Sequence, residues 1–205
     1  MSSHLSQPHR AIARTKGEKR AGDRVFQVAA DLFYRECIRA VGVETIVKQA
    51  GVAKISLYRN FASKDDLIVA YLENRNAEYW RNVDRIMAGK QGDPRAQVRA
   101  LARYVSSRAT AAGYRGCPFI NYAAEFADTS HPGHRIVDDN KREMRRRLVS
   151  LTKAIGARRP AQLADALFLL IEGAYASSQT LGGRNGPSAN LPWAIDTLIE
   201  CHLNS

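Results

Sequence analysis

Between Ala50 and Leu67 the chain reads AGVAKISLYRNFASKDDL. An ammonium (Lys54), a branched alkyl group (Ile55), two hydroxyls (Ser56, Tyr58), a guanidinium (Arg59) and an amide (Asn60) fall on one short run of it. No base or nucleophile pair stands among them, so the chemistry they suit is recognition by hydrogen bonds and charge. At about 100° per residue, a helix starting at Lys54 puts Leu57 and Phe61 on one side and Arg59 on the other. Ile55 and Ser56 flank Arg59, and Lys54, Tyr58 and Asn60 lie at the edges. An outward arginine fork matches a guanine edge, and an isoleucine meets a thymine methyl. Lys54 and the Tyr58 hydroxyl suit phosphates, which position a protein without reading sequence. Ser63, with Asp66 three residues on, forms a capping box for the next helix. Lys64, at the positive end of that helix, adds a second phosphate contact.

Such a short helix must be mounted on others. Gly51 supplies the left-handed residue of a tight helix–turn–helix. Ile46, Val47 and Ala50 before it, and Val52, Leu57 and Phe61 after it, face a first helix carrying Val25, Ala29, Leu32 and Phe33 at helical spacing. The remaining periodicity is helical too, and the chain is predicted to be all-α with about nine helices. They run from Lys19 to Glu36, Val43 to Ala50, Lys54 to Phe61, and from Ser63 past Trp80 and Val83. Asp93-Pro94 opens a fifth that reaches Ala112, followed by Phe119 to Ala127 and a basic helix ending at Gly156. The eighth extends from Pro160 to Gly182 and the ninth from Leu191 to Leu203. Residues 1–17 read as a flexible basic arm, 18–66 as a helix-turn-helix domain and 67–205 as a larger helical domain.

The composition sets bounds. The formal net charge is +11 with 45% apolar residues, enough for a core and a field that attracts polyanions. Cys37, Cys117 and Cys201 are too scattered for a disulfide framework or a metal site, which suits a reducing, cytoplasmic setting. His4, His9, His131, His134 and His202 form no ligand pattern, and no phosphate-cradling glycine loop is present, so no metal and no cofactor is expected. The N-terminus lacks a secretory apolar run. The most apolar stretch, Leu163 to Ala176, contains Asp165 and Glu172, so no membrane span is expected.

The stretch VFQVAADLFYRECIRAVGVETIVKQAGVAKISLYRNFASKDDLIVAYL resembles the N-terminal domain of the TetR family of bacterial transcriptional regulators. The pattern AGV-x-K-x-x-LY-x-x-F-x-SK-x-x-L carries the likeness. The resemblance implies a homodimer that binds double-stranded, palindromic operator DNA and is released by a small-molecule effector in the C-terminal domain. It also implies that the last two helices build the dimer interface, with Leu167, Ile171, Ala174, Ile195 and Leu198 on it. Two positions depart from the family. Cys37 stands where glycine is usual, so either strain there or a different helix end is expected. Ala40-Val41-Gly42-Val43 lacks the usual Ser or Thr cap, and the outward Thr45 and Lys48 become the substitute DNA contacts.

In the C-terminal part, YRGCPFINYAAEF is the most distinctive stretch. Cys117, ahead of Pro118 at a helix start, sits where a dipole can lower a thiol pKa. That makes it a candidate redox or electrophile sensor, or the nucleophile of a Cys-dependent enzyme, against the alternative of a small buried residue. Phe119, Asn121, Tyr122 and Glu125 follow it as candidate pocket residues, with Trp80, Tyr104, Tyr175 and Gln179 as co-lining groups. A regulator released by a ligand is the leading expectation. The others are a thiol sensor, a Cys-dependent enzyme and a nonspecific DNA-compacting protein.

Overall fold

The computed structural model describes residues 16–204. They form α1 (Lys16–Glu36), α2 (Val43–Ala50), α3 (Lys54–Tyr58), α4 (Lys64–Ala88), α5 (Pro94–Ala109), α6 (Pro118–Glu125), α7 (Gly133–Ile155), α8 (Pro160–Ser177) and α9 (Leu191–Asn204), with a short 3-10 turn at Pro187–Asn190. Among the described residues there is no strand, as the all-α expectation requires. Most of the basic arm lies outside the described residues, but Lys16 and Gly17, expected in it, open α1.

The first three helices pack around Val25, Ala29, Phe33, Ile46, Val47 and Leu57, all buried. Helix α4 closes this bundle with Leu67, Ile68, Tyr71 and Leu72, and the Phe33 and Tyr71 rings meet edge-on at 5.7 Å. The same helix then continues into the C-terminal helices, where Val83 is fully buried. There α7 and α8 pack together, joined by Arg145–Asp165 and Lys141–Glu172 ion pairs at 2.6 and 2.7 Å. The basic face of α7 is therefore largely paired, since Arg146 and Arg147 also hold Glu143.

Local signals explain most helix ends. Ser63 Oγ accepts the Asp66 N–H at 3.0 Å and donates to the Asp66 carboxylate at 2.9 Å. Asp93 accepts the Ala96 N–H at 2.8 Å, with Pro94 in the first turn. Helix α2 has Gly42 at its N-cap and no side-chain cap, as expected, and Gly51 ends it in the left-handed conformation at φ 61°. Several bounds differ from the sequence reading. Helix α1 starts at Lys16, and α3 stops at Tyr58, α5 at Ala109, α6 at Glu125 and α8 at Ser177. After Ser177 the hydroxyls of Ser177 and Ser178 bond back to the Ala174 and Tyr175 carbonyls, competing with the helix ladder, and a turn follows.

Four of the proposed dimer residues face inward. Leu167, Ile171, Ala174 and Ile195 are buried in the core of their own chain, and Leu198 is half-buried. An almost wholly apolar helix does not reveal which stripe faces its own core. The exposed apolar stripe is the neighbouring one, with Leu169 and Trp193 each 70% exposed.

Cys37, just past α1, is among the described residues the non-glycine one with positive φ, at 74°. A side chain there costs about 1 kcal/mol, and the exposed Cys37 side chain is not part of the core. Cys37→Gly is expected to raise stability by about 1 kcal/mol, less the entropy of the freer unfolded chain. The test is a higher urea midpoint at constant m value; an unchanged or lower midpoint would contradict the strain.

Candidate nucleic-acid interface and adjoining cavity

On α3 and its C-cap, Arg59, the Lys54, Ile55, Tyr58 and Arg59 side chains are exposed, Ile55 by 60% and Tyr58 by 44%. Ser56 is half-buried, while Thr45 and Lys48 of α2 are exposed beside it. Leu57 anchors the opposite side at zero exposure. The Lys54 ammonium is hydrogen-bonded to the Glu44 carboxylate, which raises its pKa. That pair is exposed, and such pairs contribute little, so a phosphate can displace the carboxylate.

Two expected contacts turn inward. Asn60 donates to the Ser56 carbonyl at 2.8 Å and lies against Gly22 of α1, where an added Cβ would come within 2.5 Å of its amide oxygen. It ties the end of α3 to α1. The Lys64 ammonium donates to the Ile38 carbonyl at 2.9 Å, and burial lowers its pKa. It secures the chain after α1 rather than standing open as a phosphate site.

A cavity of about 110 Å³ lies between the C-terminal helices and the end of α1. Tyr104, Cys117, Phe119 and Tyr175 line it, as expected. Trp80, Asn121, Tyr122, Glu125 and Gln179 do not. Trp80 is covered by the Arg147 guanidinium at 4.2 Å. Asn121 bonds the Arg115 carbonyl and the Gln179 amide. Tyr122 bonds His131 Nδ1 at 2.7 Å, and burial pushes its phenol up to about 12. The Gly133 N–H donates to the same nitrogen, so His131 carries its proton on Nε2, 3.5 Å from the Asp65 carboxylate of α4. Glu125 accepts the Arg39 backbone N–H at 2.8 Å, joining α6 to the chain between α1 and α2.

The remaining cavity wall comes from helices that the sequence reading did not combine. Tyr79 and Asn82 stand on α4 beside the paired Arg75 and Glu78, 3.2 Å apart, and Arg108 and Tyr114 stand near the end of α5. Tyr34 comes from α1 itself. Its hydroxyl accepts the Arg115 N–H at 3.0 Å and donates to the Gly116 carbonyl at 3.3 Å. Gly116 has φ 89°, in the left-handed region that favours glycine, and it packs against the Gln179 side chain.

Cys117 does not have the lowered pKa expected of a sensor. Burial pushes the thiol up, and this outweighs the nearby Lys141 ammonium and the α6 backbone N–H groups. Its reading as a small buried residue fits better.

The sequence profile of the bacterial regulatory proteins of the tetR family matches residues 25–71. The structure is similar to that of SCO4454, a TetR-family transcriptional regulator from Streptomyces coelicolor. The two are 30% identical, with a TM-score of 0.80 over 91% of this chain and 95% of that one. This chain belongs to the TetR family. It is a DNA-binding transcriptional regulator rather than an enzyme. A TetR-type regulator of Streptomyces avermitilis is 29% identical, with a TM-score of 0.78 over 89% of this chain and 97% of that one. The reduced form of NemR from E. coli shares the fold at 20% identity and a TM-score of 0.74, covering 86% and 95%. No curated protein matches the chain. Among the described residues, no helix is long and apolar enough to cross a membrane.

Arg59→Ala is expected to relax base preference by about 1–3 kcal/mol at one position of the site. Lys48→Ala should weaken binding to all sequences and reduce the salt slope by about one counterion. Lys64→Ala should instead lower the melting temperature while leaving that slope unchanged. Binding titrations over a salt series against single-base variants of the site separate these outcomes. Unchanged base preference in Arg59→Ala would contradict the assignment of α3 as the reading helix.

Proposed function

We propose that this regulator is a ligand-responsive repressor, acting in the cytoplasm as a homodimer on a palindromic operator. DNA contacts come from Thr45, Lys48, Lys54, Ile55, Ser56, Tyr58 and Arg59, within a DNA-binding domain of residues 18–66. Residues 67–205 hold the effector cavity and the dimer interface. The observation that carries the ligand-responsive part is Tyr34, a side chain of α1 that also forms part of the cavity wall. A molecule entering beside it presses on the helix against which α2 and α3 are packed. Two half-sites about one helical turn apart tolerate little change in the spacing of two reading helices. The effector must therefore bind the DNA-incompetent arrangement more tightly.

The exposed apolar stripe of α8 and α9 supports the homodimer. Leu169, Leu170, Trp193, Ala194 and Leu198 line one continuous hollow with a volume near 500 Å³. A large exposed patch of this kind marks an association surface. A partner copy would supply the missing half of a four-helix packing. Cys117, buried and with a raised pKa, gives no support to a thiol-sensing mechanism.

Selection of duplexes from a random pool tests the reading, and a palindrome with two equal half-sites is the expected result. In sedimentation at micromolar concentration the wild-type chain should be dimeric. Leu169→Glu, at an exposed position that leaves the core intact, should be monomeric, folded and weak on DNA. A monomeric wild type would contradict the homodimer.

A further inference from the structure

Arg108 is the unusual group of the cavity. Its guanidinium lies over the Tyr104 and Tyr114 rings, at 6.0 and 5.7 Å from their centroids. Among the described residues it makes no hydrogen bond or ion pair. The other arginine of the wall, Arg75, is paired with Glu78 at 3.2 Å. Nearby Glu172 is held by Lys141 at 2.7 Å. The phenols stay neutral, because burial raises the pKa values of Tyr79, Tyr114 and Tyr175. The cavity thus carries one uncompensated positive charge, on a group built to grip a carboxylate with two parallel bonds.

Size and wall shape restrict the rest of the ligand. Pockets for drug-sized molecules hold about 300–1,000 Å³, whereas this cavity holds about 110 Å³. An enclosed apolar cavity of about 150 Å³ is filled by benzene; this smaller one opens at the exposed Arg108, so it admits one ring with the carboxylate at its mouth. The walls are aromatic and flat. Tyr114 and Tyr175 are 6.3 Å apart at 35°, and Tyr79 and Phe119 are 6.4 Å apart at 88°. Such walls favour a ring, by offset stacking and edge contacts.

We propose that the effector is a single-ring aromatic monocarboxylate, its ring among Tyr104, Tyr114 and Tyr175 and its carboxylate on Arg108. The proposal rests on the reading of this cavity as the effector site. A cation would face Arg108 directly. A neutral ring would leave its donors unmatched, and a two-ring acid exceeds the volume.

Calorimetry on the full-length protein with sodium benzoate, benzamide and 2-naphthoate tests it. Arg108→Gln and Tyr104→Trp serve as variants, and both positions are at least partly exposed, so folding is retained and is checked by circular dichroism. Benzoate should bind about tenfold or more tighter than benzamide, the expected margin for a charge-assisted pair. Arg108→Gln should erase that margin, 2-naphthoate should bind more weakly than benzoate, and Tyr104→Trp should block all three. Equal binding of benzoate and benzamide, blocked by Tyr104→Trp, overturns the carboxylate assignment and leaves the cavity as the site. A preference that survives Arg108→Gln does the same. Binding that Tyr104→Trp leaves untouched, or no binding by any probe, overturns both the ligand class and the cavity reading.

Discussion

The Tyr34 hydroxyl holds the molecule to one geometry. It accepts a hydrogen bond from the Arg115 N–H and donates one to the Gly116 carbonyl, so the end of α1 is clasped to the loop ahead of α6. Gly116, at φ 89°, lets this loop turn without the strain another residue would carry. One further hydrogen bond runs beside the clasp, from the Arg39 backbone N–H to the Glu125 carboxylate. Each such bond is worth about 1 kcal/mol net. Together they match the 1–3 kcal/mol typical of coupling between two sites, and they fall well short of the stability of a domain. A ligand of ordinary affinity can break them without unfolding anything.

The charge is distributed to the same end. The chain carries +11, yet Arg145, Arg146 and Arg147 of α7 are held by Asp165, Glu143 and Asp84. Lys48, Lys54 and Arg59 are exposed along the helix–turn–helix. The Glu44–Lys54 pair lies in the open and is weak, so it orients Lys54 in the free protein and gives way to a phosphate.

How much of this was legible in the sequence depends on how local each feature is. The Gly51 turn and the Ser63 and Asp93 caps follow from one residue and its neighbours, and the structure has them all; the positive φ of Cys37 was legible only through the family resemblance. The Leu57 anchor and exposed Arg59 follow from helical period alone. Asn60 and Lys64 differ because their partners, Gly22 and Ile38, lie far back in the chain. In α8 the period was silent, since Leu167 and Leu169 are equally apolar and only packing decides that the first is buried and the second exposed. The cavity was half visible. Cys117, Phe119 and Tyr175 announce themselves by type, but Tyr34, Arg75 and Arg108 join them only because α1, α4 and α5 converge there. The uncompensated charge of Arg108 is a property of that convergence and of nothing in its own neighbourhood of sequence.

The claim on which the rest turns is that the cavity and the reading helices share one equilibrium. Linkage makes this measurable from the cavity side, because operator DNA must then weaken a cavity ligand by the same factor by which the ligand weakens operator binding. The direct measurement is the dissociation constant of benzoate from the full-length protein, free and saturated with its selected operator duplex. The account predicts about 5- to 150-fold weaker binding on the duplex, the range that 1–3 kcal/mol of coupling implies. Equal constants would contradict it, because they would leave the Tyr34 clasp without any influence on DNA binding.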